Sequence, residues 1–267
     1  DSIKINFDTE GLWILNIALA IIMFGVALSI KIEDFKLLIK KPKILLVGVF
    51  SQFFLLPALT FVAILIIKPH PSFALGMMMI AACPGGNISN FFSKMAKGNS
   101  ALSVSLTAFA TVICLLMTPL NLQFYSGLYE PTNEIIKTVQ LDPIELFKLV
   151  LLILGIPIVL GMSLNHYFEE ISKKIEVLLK PFSIVVFLAL IVIAFYDNID
   201  VFLKYIHLVA GLVIFHNIGA YFIGFYTAKT FGLEKRDRKT ICMETGIQNG
   251  GLGLLLIFQF FDGLGGM

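Results

Sequence analysis

Seventeen of the 18 Asp and Glu residues in this sequence fall in loops or at the ends of apolar runs, and Glu244 alone lies inside one. A charge near the centre of a bilayer costs about 2.5 to 3.5 kcal/mol on insertion scales. No Lys or Arg shares that apolar depth, so the compensating charge has to come from outside, as a proton or a metal cation. Oxygen-bearing side chains accompany the carboxylate. Ser103 and Thr107 are four apart and share a helix face, and Ser89 and Asn90 close the run "CPGGNISN". Hydroxyl, amide and backbone oxygens together form a hard shell suited to an alkali cation rather than to zinc or copper. The competing reading of Glu244 is a protonated, hydrogen-bonded structural acid, and Ser103 with Thr107, taken alone, read as small polar residues in helix packing. The constellation is what points to a site.

These residues surround two interruptions, "CPGGNISN" and "ETGIQNGG". Proline removes a backbone donor and clashes with the carbonyl four residues back, and paired glycines admit extended backbone. Each apolar segment therefore unwinds at that point and frees its amides and carbonyls. Unsatisfied peptide groups cost several kcal/mol in lipid, so such breaks belong inside protein or beside a water-filled cavity. One Pro-Gly interruption is read most simply as a kink. Two, at matching positions and each flanked by Asn, Gln or Ser, read as a binding site.

The elements that must position them are membrane helices. A chain of 267 residues with 58% hydrophobic and 14% charged residues and a mean hydropathy of +0.91 lies outside soluble-domain composition. Apolar runs long enough to cross about 30 Å of hydrocarbon occupy, approximately, 11–30, 44–67, 72–93, 99–122, 147–165, 181–196, 205–228 and 240–261. "DFKLLIKKPK" and "FEEISKKIEVLLK" read as amphipathic helices on the membrane surface. With the N-terminus outside, only Lys4, Lys68, Lys137, Lys148 and Lys204 of the 20 basic residues face outward, as the positive-inside rule favours. The localisation expected is a plasma (inner) membrane, multi-pass, with the N-terminus outside.

The second and seventh segments share a layout, with Ser51 and Gln52 in one and His216 and Asn217 in the other, and an interrupted helix follows each. Segments one to three then correspond to six to eight in opposite orientation. Inverted repeats with discontinuous helices are the sequence pointer to a secondary transporter's binding site. The repeat also predicts a final helix beyond Met267, the partner of segment four. Other classes find little support. No basic run is interleaved with aromatics as nucleic-acid binding requires, and Cys83, Cys114 and Cys242 have neither disulfide nor metal-ligand spacing. No buried Asp pair, Ser with a neighbouring base, or His/Glu metal spacing suggests an enzyme. His216 reads as a packing histidine before a catalytic base.

"IIMFGVALSI", "KPKILLVGVFSQF", "CPGGNISN", "KGNSALSVSLTAFAT", "IPIVLGM", "HNIGAY" and "METGIQN" together resemble the bile acid:sodium symporter family over nearly the whole chain. The resemblance implies an all-α bundle of two inverted repeats, with two broken helices crossing at mid-membrane, in the nine-helix, animal-type variant. It implies a core (44–122 and 205–262) and a panel (11–30 and 147–196). It implies two Na+ ions, one held by Ser89, Asn90, Ser103, Thr107 and Glu244. The other would be held by Gln52, Glu244 and Gln248 with the carbonyls of Thr245 and Ile247. An organic anion, bile-salt-like or a small carboxylate, would bind near Asn87, His216, Asn217 and Asn249. The expected function is sodium-coupled symport by alternating access. The alternatives are a sodium/proton antiporter and a non-transporting ligand sensor on the same fold.

Overall fold

The computed structural model describes residues 9–31, 33, 36, 39–86, 88–139, 144, 147, 148, 151–197 and 199–261. Among them every regular element is helical, and the only bridge between extended segments joins Gly85 to Gln248. The helices are α1 (Thr9–Ala27), α2 (Pro42–Ile67), α3 (Pro71–Ala82), α4 (Ile88–Met95), α5 (Ser100–Leu128), α6 (Glu130–Val139), α7 (Ile156–Tyr167), α8 (Glu169–Asp197), α9 (Ile199–Thr230), α10 (Lys235–Gly246) and α11 (Gly250–Phe261). Among the described residues, Pro42–Ile67, Ser100–Leu128 and Val209–Thr230 are long and apolar enough to cross a membrane unbroken. The third and eighth predicted segments are the split pairs α3/α4 and α10/α11.

Local chemistry explains the boundaries. Helix α2 ends at Lys68 in the left-handed conformation, φ 50°, and Pro71 opens α3 at a position whose N–H would have no helical partner. Helix α9 ends similarly, with Gly232 at φ 72° before α10 begins. Lys68 and Gly232, Pro71 and Lys235, and Ala82 and Gly246 all recur at one constant spacing along the chain. At that spacing Gln52 aligns with His216. The internal repeat is therefore written in helix ends as well as in side chains.

Packing is close at several of the small residues. A Cβ on Gly224 of α9 would sit 2.7 Å from the Ile241 carbonyl oxygen of α10, so these two helices meet backbone to backbone. Helices α1, α7 and α8 form a second tight group. A Cβ on Gly161 would sit 2.6 Å from the Ala27 Cβ, Asn165 Nδ2 donates to the Ile30 carbonyl at 2.9 Å, and Ser172 Oγ donates to the Leu28 carbonyl at 3.2 Å. At its exposed end, Lys31 pairs with Glu169 at 2.9 Å.

The surface helix expected at 168–180 and the span expected at 181–196 are one continuous helix, α8, with Pro181 inside it. An interior proline removes one backbone hydrogen bond but leaves the apolar periodicity on either side intact, so the helix passes through. Of the other expected surface segment, 34–43, residues 34, 35, 37 and 38 lie outside the described residues, and Pro42 and Lys43 already belong to α2. The cysteines are free, with Cys83 and Cys114 buried, in keeping with a packing role.

Candidate functional site

Unwinding puts backbone groups into the core, and the two breaks satisfy each other. Cys83 and Ile247 adopt extended conformations at the ends of α3 and α10. The Gly86 N–H donates to the Ile247 carbonyl and the Asn249 N–H to the Pro84 carbonyl, each at 2.8 Å. This short antiparallel crossing holds both broken helices at one point. The Ala82 carbonyl, stranded by the first break, accepts from Thr118 Oγ1 of α5 at 2.7 Å. Most of the cost of breaking a helix in lipid is thereby removed.

Glu244 lies beside the crossing, fully buried. Ser89 Oγ donates to its Oε1 at 2.6 Å, Ser103 Oγ donates to the same oxygen, and Thr107 Oγ1 lies 2.8 Å from Oε2 and 3.2 Å from Asn90 Oδ1. Helices α4, α5 and α10 thus bring all five residues of the first predicted cation set together. Among the described residues no ion pair involves Glu244. An ionised carboxylate can only accept hydrogen bonds, so hydroxyl donors are the partners it needs when no cation is beside it.

The second predicted set is incompletely paired. Gln52 is 1% exposed and its Nε2 has no partner; Gln248 Oε1 is likewise buried and unpaired. Gln248 Nε2 reaches back to the Thr245 carbonyl, and Thr245 Oγ1 lies 2.9 Å from Ser51 Oγ. The Ile247 carbonyl already accepts from Gly86 across the crossing and keeps a second lone pair. Gly85 lies beside both Glu244 and Gln52. A Cβ there would be 2.8 Å from the Glu244 carbonyl oxygen, 3.0 Å from Oε2 and 3.5 Å from Gln52 Nε2. Turning the Gln52 amide over exchanges its nitrogen and oxygen, so the same side chain can present a cation ligand.

A cavity of about 350 Å³ adjoins the second break, between α3, α9 and α11. His216, Asn217 and Gln248 supply its polar side-chain groups among mostly apolar walls such as Phe73, Ile80 and Val209. His216 Nε2 lies 2.8 Å from Thr60 Oγ1 of α2, and Asn217 Nδ2 donates to the Val213 carbonyl of its own helix at 2.9 Å. Asn249, expected beside the substrate, turns its Oδ1 to cap α11, accepting from the Leu252 N–H at 3.1 Å. Asn87 lies outside the described residues.

Thr60, Thr118 and Asn121 were not singled out from the sequence. The last two had a readable signal. Ser103, Thr107, Thr111, Cys114, Thr118 and Asn121 continue the three-to-four spacing of the recognised pair down one face of α5, and all are buried. Thr60 had none, because only the fold brings it to His216.

The architecture defines a class of protein, a helical membrane bundle with an internal repeat and two discontinuous helices joined at their breaks. Residues 16–205 match the model of the Sodium Bile acid symporter family. The chain belongs to that family. It is 31% identical over 262 residues to the uncharacterized sodium-dependent transporter YocS of Bacillus subtilis, an alignment covering 97% of this chain and 79% of the relative. It is 28% identical over 248 residues to the probable sodium/metabolite cotransporter BASS1, chloroplastic, of Arabidopsis thaliana, covering 92% and 59%. With the human ileal sodium/bile acid cotransporter it shares 29% over 241 residues, covering 88% and 66%. The chain therefore spans little more than half of the plant relative's length.

Proposed function

We propose that the protein is a sodium-coupled symporter of an organic anion that works by alternating access. One observation carries this reading. A fully buried carboxylate, Glu244, sits where two broken helices cross, ringed by hydroxyls from α4 and α5 and unaccompanied by a cationic side chain among the described residues. One Na+ is held by Ser89, Asn90, Ser103, Thr107 and Glu244. A second is held by Gln52, Glu244 and Gln248 with the carbonyls of Thr245 and Ile247. The unpaired Gln248 Oε1 supports the second site, since a buried polar group left unpaired costs about 1 to 3 kcal/mol and a bound cation supplies the missing partner; Gln52, whose Nε2 is unpaired as it stands, presents its oxygen once its amide turns over.

Two sodium ions, ionised Glu244 and a monoanionic substrate sum to a charge near zero, which lowers the cost of moving the loaded site past a low-dielectric barrier. Glu244 stays with the protein, so each cycle carries one net positive charge inward. The membrane potential then contributes about 2.3 kcal/mol per 100 mV. The core, 44–122 and 205–262, rocks against the panel, 11–30 and 147–196. The polar ties and close glycine contact joining α1, α7 and α8 suit a panel that moves as a unit. The substrate, bile-salt-like or a small carboxylate, occupies the cavity beside His216, Asn217 and Gln248, with Asn87 and Asn249 as further substrate-binding residues. The names of the relatives, a bile acid cotransporter and a metabolite cotransporter, span that range.

The orientation proposed is N-terminus outside in the plasma membrane. The complete protein is proposed to have nine helices, as in the animal-type variant, which topology-reporter fusions along the full-length protein would count. The deciding experiment is uptake into proteoliposomes of the full-length protein under inward sodium or potassium gradients, with labelled taurocholate and a small carboxylate in parallel. Sodium-dependent accumulation of either is expected. Sodium-driven proton movement without an organic substrate would replace the reading with an antiporter, and saturable binding without flux would replace it with a sensor.

A further inference from the structure

Gln52 does not sit on an ordinary α-helix. Residues Ser51–Leu55 form a π turn within α2, in which the Leu56 N–H reaches back to the Ser51 carbonyl. The cause lies next along the chain. Pro57, just inside the following helical stretch, has no N–H to give the Phe53 carbonyl four residues earlier. The wider turn absorbs the mismatch, as π turns at functional positions commonly do. It leaves the Phe53 carbonyl stranded in the core, where Phe53 itself is fully buried.

Asn121 of α5 closes that gap. Its side chain is 9% exposed, and its Nδ2 donates to the Phe53 carbonyl at 2.8 Å across 68 residues of sequence. We infer that Asn121 is a positioning residue for the second cation site, holding the π turn of α2 in the form that aims Gln52 at Glu244 above Gly85. The inference rests on the second sodium site proposed above. Its physical basis is the angle a helix turns per residue. Pro57 denies the Phe53 carbonyl a partner in α geometry as well, so without Asn121 this buried orphan is drawn to the Ala58 N–H, five residues on, and the π turn shifts along α2. Such a shift rotates Gln52 by roughly a quarter turn or more relative to α5 and α10, and its amide leaves its place beside Gly85. Ser103 and Thr107 lie on the same helix as Asn121 but reach Glu244 directly, so the first site does not depend on the π turn.

The test is equilibrium binding of labelled sodium to the purified full-length protein, which needs no transport. Asn121→Leu should weaken one of two sodium ions by about 10-fold and lower the Hill coefficient toward about 1. Asn121→Asp keeps the shape, removes the donor and should do the same, while Asn121→Gln keeps the amide and should recover binding. A purely structural role is separated by double variants. Asn121→Leu should add nothing to Gln52→Ala, and should add fully to Ser103→Ala. Additivity with Gln52→Ala, or sodium binding within twofold of wild type in Asn121→Leu and Asn121→Asp, overturns the inference, as does a wild-type protein that binds fewer than two sodium ions. Sodium binding that follows this pattern without organic-anion uptake would reject symport and keep the role of Asn121.

Discussion

At the first break, Pro84 and Gly86 offer a carbonyl and an amide, and both find partners across the crossing. Around the second break the backbone is equally well paired, yet two buried amide atoms, Gln52 Nε2 and Gln248 Oε1, have none. The carboxylate is also unequal. Its side chain belongs to the second repeat, while the hydroxyls that contact it come from the first, on α4 and α5. The repeat thus supplies symmetric backbone, and the chemistry comes from breaking that symmetry. A hydroxyl ring compensates one side of Glu244. The glutamine side lacks that compensation.

The sharpest way to break this comparison is to remove the group both sides share. Glu244→Ala should abolish sodium-driven uptake, by about 100-fold or more, while the protein elutes as a single folded species. Normal sodium-driven uptake would reject both sites together. Next in size is Gly85→Ala, which forces a Cβ to within 2.8 Å of the Glu244 carbonyl. Backbone cannot yield there as a side-chain tip can, so a loss of about 1 to 3 kcal/mol in stability and a weakened second sodium ion are expected in a thermal melt and a sodium titration. Gly127→Ala, whose Cβ meets nothing within 4 Å, is the control and should leave sodium binding unchanged.

A smaller effect tests how the first break is supported. Thr118→Val keeps the shape but leaves the Ala82 carbonyl without its hydroxyl donor. A loss of about 1 to 2 kcal/mol is expected, read as a lowered melting temperature with the ratio of the two sodium affinities unchanged. The smallest effect lies far from both breaks. Lys31 and then Lys173 hold the exposed Glu169 carboxyl below its usual range by hydrogen bonding. A depressed carboxyl contributes stability above its unfolded pKa and loses it as pH falls through the folded value. Glu169→Gln should therefore shift the melting temperature slightly at neutral pH and not at all in acid, and salt should shrink the shift.

Much of this site can be read along the chain, and the unread part has a physical pattern. The breaks were legible because Pro84, Gly85 and Gly86 act on their own backbone. Glu244 was legible because a lone acid in an apolar run is costly wherever it points. The continuity of α8 was not, since Pro181 gives the same local signal whether a helix starts there or passes through. The capping role of Asn249 gave no sign of itself, because a capping asparagine and a binding asparagine share one sequence signature. Thr60 meets His216 across 156 residues, and no local pattern encodes that meeting.

The sequence by itself determined that this chain is a helical membrane bundle with an internal repeat, two helix breaks and one buried acid, because hydropathy, backbone freedom and charge cost are properties of residues and their near neighbours. Only the tertiary structure decided which orphaned group each polar side chain satisfies. Thr118 reaches Ala82, Asn121 reaches Phe53, and Ser89 and Ser103 reach Glu244, because a hydrogen bond requires atoms within about 3 Å of one another and only the crossing of helices remote in sequence brings them there.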